Sequence, residues 1–384
     1  MNVKKVFLRL TFLSVFFILS CSKQMEADPI FPNDYAFGVI QSTDGPIDLS
    51  MILLYNAEGE LIHKHKIPYG GIYLYRTLPP VNEQGSLFMP AEGILGKRTK
   101  KLMNLNLYTG FFEFYDIDYG LNTVAVFNNN LYSVSHPAQK SVLFRYDLQT
   151  KILHQEDLYG HSVDRFITDS THLYVFAKDE QYIGSFEGYW LFIMNPQNFH
   201  IKEKINISKE KGSLLADALH FNNQLFFTYN MEPEQSNINN YRPVVGGHLL
   251  GQIDVHTKAI KFHHLEHPFP YQLLQYKDKI VISHHDFSQN SYNGITIFEP
   301  ITQEEQHFAL PTPAIEIRVQ KDYLYVFSYF FSDLDHPKIY QYQLPDFTLL
   351  KVYNVGLSKI ESQFSPQFEN YSGVSTFFLN PKND

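Results

Sequence analysis

Cys21 is the single thiol in a chain of 384 residues, and it stands directly after Ile18-Leu19-Ser20. Thiolate alkylation is the nucleophilic chemistry that position offers. Elsewhere the reactive types fall into short groups. One is His284-His285-Asp286, with Tyr292 further on. Tyr241-Arg242-Pro243 is followed by Gly246-Gly247-His248. Asp333, Asp335 and His336 make a third group, and Tyr182, Phe186 and Tyr189 a fourth. Aromatic rings beside hydrogen-bonding side chains suit a sugar or a peptide. A metal is not expected at His284 and His285. Neighbours on an extended strand point to opposite faces, whereas zinc needs three or four converging ligands. His263, His264 and His267 read as edge-strand and loop residues. Arg76, Arg165 and Arg318 fall near inner strands, where they could hold an anion in a channel or be ordinary surface arginines.

The residues before Cys21 give it a context. Lys4, Lys5 and Arg9 precede an apolar run, Leu10 to Ser20, of about eleven residues. A membrane-spanning helix needs roughly twenty, whereas a basic start and a short apolar stretch make a secretory signal. Ile18-Leu19-Ser20-Cys21 resembles the lipobox of bacterial lipoproteins. The resemblance implies cleavage after Ser20, a diacylglycerol on the Cys21 sulfur and an acylated new N-terminus. Acyl chains such as palmitate then anchor the chain, each buried methylene contributing roughly 0.8 kcal/mol. Residues 1–20 are thus read as the signal, 21–33 as a lipidated tether, and 34–384 as one domain. The expected partner is the bilayer of a bacterial cell envelope; Ser22-Lys23 does not decide between inner and outer membrane. With Cys21 modified, no disulfide is possible and the domain depends on its core.

Loss of Lys4, Lys5 and Arg9 reduces 31 basic residues to 28 against 40 acidic ones. The mature balance is −12, with no dense Lys/Arg cluster. That excludes nucleic acid as an expected partner.

The elements that must position these groups are strands. There are 33 Phe and 26 Tyr but one Trp, and the apolar residues come in short runs separated by Asn, Asp, Gly and Pro. This is a strand-and-turn pattern. A polar turn followed by an aromatic-rich strand recurs at Asn128-Asn129-Asn130, Asn222-Asn223-Gln224, Lys277-Asp278-Lys279 and Lys321-Asp322-Tyr323. A second type of turn centres on Asn56, Asn106, Asp147, Asn195, Asp254, Glu299 and Gln343, at separations of 50, 41, 48, 59, 45 and 44 residues. A period near 48 with four strands each is the pitch of a β-propeller blade. The expected fold is therefore all-β, a propeller of seven four-stranded blades. They lie near 34–69, 70–118, 119–158, 160–208, 211–265, 268–310 and 313–355. The first is one strand short, and Gly373 to Leu379 could complete it and close the ring, removing an exposed edge. The same rhythm is compatible with six or eight blades. Lipobox and blade rhythm together resemble bacterial propeller lipoproteins of the quinoprotein-like, six- or seven-bladed groups. No catalytic residues carry over from them.

Connections between second and third strands are expected near 41–50, 90–100, 135–141, 178–188, 230–248, 284–294 and 330–338, the fifth having nineteen residues. In a propeller they emerge on one face, and long loops there point to function. Tyr182, Tyr189, Tyr241, Arg242, His284, Asp286, Tyr292, Asp333 and Asp335 are the ligand-binding candidates on that face. The chain lacks a Gly-x-Ser-x-Gly elbow, a phosphate loop, a His-Glu-x-x-His motif and the sialidase box. No catalytic residues and no cofactor are expected. The leading expectation is a tethered scaffold that binds a protein, peptide or glycan. A hydrolase or lyase acting on a sugar or lactone at the channel mouth, and a structural subunit of an envelope assembly, are the alternatives.

Overall fold

Paired residues in a left-handed conformation start the blades. Asn128 and Asn129 have φ of 47° and 59°, and Asn222 and Asn223 have φ of 50° and 58°. Asn tolerates that region better than most residues, so two-residue hairpins form where the sequence places these pairs. In the computed structural model they join the inner two strands of blades 3 and 5. Residues 30–43, 48–72, 81–91, 93, 101–117, 123–137, 140–169, 171–182, 188–208, 213–233, 244–286, 292–328, 337–357 and 372–383 are described.

The described strands form seven four-stranded sheets, each antiparallel throughout. In six of them the four strands are consecutive in the chain. Blade 1 is the exception. Its inner strand is Ser372–Leu379, paired with Phe37–Thr43 so that Phe37 faces Leu379 and Val39 faces Phe377. The chain is a seven-bladed β-propeller closed by its C-terminal strand, as the repeat implies.

Seven apolar clusters occupy the seven seams between blades. Strand alternation explains how one blade serves two seams. Phe377 faces blade 7 and its neighbour Phe378 faces blade 2. Likewise Leu53 packs toward blade 7, and Ile52 and Leu54 toward blade 2. Both faces of a blade are dry, so its central strands read as continuous apolar runs. Burial stabilises by roughly 25 cal/mol per Å² of apolar surface. At the rim, Leu349, Leu350 and Val352 of the outermost strand of blade 7 remain 49%, 51% and 43% exposed.

Two sequence expectations need correction. Ile30 and Phe31, placed in the tether, are docked on the domain. Their backbone N–H groups both donate to the Thr109 carbonyl, at 2.7 and 3.2 Å. Phe31 is 2% exposed and joins the core of the seam between blades 1 and 2. Gly110, with φ of +80°, makes room for it, because a Cβ there would sit 2.4 Å from the Phe31 ring. The fifth loop is also shorter than nineteen residues, since strands Gln224–Pro233 and Val244–Asp254 extend into it and leave 234–243 between them.

Candidate functional site

The inner strands of blades 4 to 7 are His161–Thr168, Ser213–Phe221, Pro270–Tyr276 and Glu316–Gln320. They surround a central cavity of about 370 Å³. Its lining includes Arg165, Asp217, Gln272 and Arg318, and reaches Gln320 and Leu379 at the tight-turn end of the channel. Both Arg165 and Arg318 therefore line the channel, and each is matched by a carboxylate. Arg165 Nε lies 3.0 Å from Asp217 Oδ1. Arg318 donates from Nε to Glu316 Oε1 at 2.8 Å and to the Phe377 carbonyl at 2.9 Å.

These groups also bind the next blade. Asp217 Oδ2 accepts from the Leu273 N–H at 2.9 Å. Gln272 donates to the Ile317 carbonyl at 2.9 Å and accepts from the Ile317 N–H at 2.8 Å. Gln320 Nε2 donates to the Asn380 carbonyl at 2.8 Å. Burial raises the pKa of Asp217 and of Glu316, and the neighbouring guanidinium pulls each partly back. The channel charges are thus spent largely on joining blades. Asp164, on the same inner strand as Arg165, differs: desolvation pushes its carboxyl up to about 7, against the pull of Lys178.

On the side opposite the tight turns, the second to fourth strands of blade 6 and the link from blade 5 bring several imidazoles together. His284 Nδ1 lies 2.7 Å from the Pro268 carbonyl, and its Nε2 lies 2.8 Å from the Thr296 hydroxyl. Thr296 Oγ1 is 3.2 Å from His307 Nδ1. His307 Nε2 is 2.9 Å from the Tyr292 hydroxyl, which also contacts His267 Nδ1. The His267 and His307 rings stack with centroids 3.3 Å apart. Burial lowers the pKa of His284 to about 3 and of His307 to about 4, and raises that of Tyr292 to about 12. Among the described residues no three His, Cys, Asp or Glu side chains form a group able to hold a metal ion.

The sequence candidates divide. His284 and Tyr292 come together in this network, although His284 is fully buried. Asp286 is 1% exposed, and its N–H donates to the Tyr292 carbonyl at 3.3 Å. Tyr189 is not a loop residue: it lies 2% exposed in the core between blades 4 and 5, its ring 5.5 Å from Tyr229. Tyr182 ends the short 3-10 turn Glu180–Tyr182. Tyr241, Arg242, Asp333, Asp335, Arg76 and Cys21 lie outside the described residues. Sequence reading passed over His307 and Thr296, which sit on separate outer strands with no local signal. His267 was visible only as a connecting residue.

No family model and no curated protein matches the sequence. Solved structures match in shape. BamB from Moraxella catarrhalis shares 11% identity at a TM-score of 0.48, covering 86% of this chain and 91% of that one. The β-propeller domain of the Trilobed protease from Pyrococcus furiosus shares 8% at 0.47, covering 74% and 84%. Puromycin hydrolase in complex with PGG shares 11% at 0.55, covering 85% of this chain and 53% of that one. This chain spans about half the length of that hydrolase. What they share is the propeller. At such identities the likeness carries fold and no chemistry.

Proposed function

We propose that this chain is an exported lipoprotein, anchored through Cys21, whose propeller is a binding scaffold working through its long-loop face. One observation carries the reading. The strand ends joined by second-to-third connections lie on one face, with ten residues of chain between Pro233 and Val244, whereas the opposite face is built of short turns such as Asn128-Asn129. The pairing of Arg165 with Asp217 and of Arg318 with Glu316 supports it, because those charges already serve the scaffold.

The experiment replaces residues 234–243 with a Gly-Ser linker, bounded by the observed strands, and compares binding to purified envelope glycans and proteins. Loss of binding with an unchanged melting temperature is the expected result. Unchanged binding removes that loop from the site. Intact mass of membrane-extracted protein, beside Cys21→Ala, tests the anchor. A mass for residues 21–384 plus acyl chains is expected, with release of the variant from membranes.

A hydrolase or lyase is the second reading, and Asp164 favours it. A carboxyl held near neutrality can give or take a proton at working pH. Turnover of a sugar or lactone that disappears in Asp164→Asn would establish that reading over the first.

A further inference from the structure

The network between blades 5 and 6 has one permitted order of protons. A backbone carbonyl only accepts, so His284 Nδ1 must carry the hydrogen that bonds the Pro268 oxygen at 2.7 Å. His284 is fully buried and stays neutral, so its Nε2 is bare and accepts from the Thr296 hydroxyl at 2.8 Å. Thr296 has then given its only hydrogen. Its oxygen accepts from His307 Nδ1 at 3.2 Å. His307 Nε2 is therefore bare and accepts from the Tyr292 hydroxyl at 2.9 Å. The Tyr292 oxygen in turn accepts from His267 Nδ1. Reversing any link would set two acceptors against each other at Pro268. Five side chains are oriented from one carbonyl, much as outer groups fix the tautomer of a ligating histidine.

The chain ends at His267, which is partly exposed. With its hydrogen on Nδ1, the His267 ring presents its lone pair on Nε2. That nitrogen has no hydrogen-bond partner among the described residues. Glu266, the exposed residue before it, adds a carboxylate whose charge acts on both His307 and Tyr292, the groups His267 touches. Both outward groups only accept. A ligand that fits must supply neighbouring donors and no excess of acceptor charge.

We infer that His267 Nε2 is a binding point on the loop face for the hydroxyl donors of a neutral glycan, held in its acceptor form by the relay through Tyr292, His307, Thr296 and His284. The inference rests on the binding-scaffold reading. Adjacent sugar hydroxyls offer two donors at once to His267 and Glu266. An extended peptide alternates donors with carbonyls, half of which would meet acceptors here.

The test labels histidine with ¹⁵N in the full-length protein at pH 7.5, where nitrogen shifts distinguish protonated from bare positions. His267, His284 and His307 are expected with protons on Nδ1. Thr296→Val cuts the relay. His284 should keep its tautomer, held by Pro268, while His307 and His267 shift toward Nε2–H. A proton on His267 Nε2 in the wild type, or no change at His267 in the variant, overturns the relay. Chitohexaose and hexaalanine are then titrated separately. Movement of the His267 Nε2 resonance with the saccharide alone supports the glycan, and at least a tenfold weaker response is expected in Thr296→Val. Movement with the peptide alone, or with neither, refutes it. The tautomers are read without ligand, so failure of the loop replacement would sink the scaffold reading and leave the relay standing.

Discussion

The Thr376 hydroxyl donates to the Glu316 carboxylate at 2.7 Å, joining two residues sixty positions apart. This contact ties blade 7 to the strand that closes blade 1. It is flanked along the same strand by Arg318 to the Phe377 carbonyl and Gln320 to the Asn380 carbonyl. Alternate residues of Glu316–Gln320 therefore grip the C-terminal strand side-on, and closure does not rest on the ladder with Phe37–Thr43 alone.

Removing the Glu316 carboxylate should open this latch. Glu316→Ala leaves Arg318 without its carboxylate in a site where side-chain exposure is 12%. Breaking a buried pair from one side costs about 3–5 kcal/mol. Thr376→Val forfeits one hydrogen bond and should cost about 1–2 kcal/mol. Urea denaturation of the three proteins checks the order, and equal midpoints would refute the latch.

Gln272 makes a two-point clamp on the Ile317 backbone between blades 6 and 7. Gln272→Leu preserves bulk but strands a buried N–H and C=O, at about 2–4 kcal/mol for the two. Hydrogen exchange should then accelerate at Ile317 before it does in blades 2 and 3. Uniform acceleration would mean the clamp is not local.

Stability should fall as the medium becomes acid. His284 and His307 have folded pKa values depressed to about 3 and about 4 by burial, below the unfolded value near 6.5. Between those limits the unfolded chain binds protons that the folded chain refuses, so acid favours unfolding. Each site contributes up to about 1.4 kcal/mol per pH unit in that window. Asp164, raised to about 7, opposes this because its folded form takes up a proton first. The decisive measurement is therefore a difference. The slope of unfolding free energy from pH 6.5 to 5 should be smaller in His307→Gln than in the wild type, and identical slopes would argue against the buried neutral imidazole.

The first described residues should matter to stability. Phe31→Ala removes a ring stacked 6.2 Å from Phe378 and edge-on 5.6 Å from Tyr35. A loss of about 3–5 kcal/mol is expected for a buried Phe, measured by thermal melting. A change below 1 kcal/mol would return Phe31 to the tether.

Much of the architecture was legible in the chain itself. Strand alternation and turn chemistry are local, and seven turns at a period near 48 residues pointed to seven blades, with six or eight left open until the sheets were seen. Even the closing strand showed, as an apolar run at Gly373 to Leu379 after a blade that lacked one. The site was less legible. Tyr189 looks the same in sequence whether its ring lies on a loop or, as here, against Tyr229. Arg165 could be placed near the axis but not paired, because Asp217 comes from another blade, whereas the partner of Arg318, Glu316, stands two residues before it on the same strand. His267, Tyr292, His284, Thr296 and His307 span 41 residues, on three strands and two connections. Their proton order depends on a carbonyl that one backbone turn aims at one ring. Periodicity records which way a side chain faces, whereas hydrogen bonding depends on distances that only packed blades define.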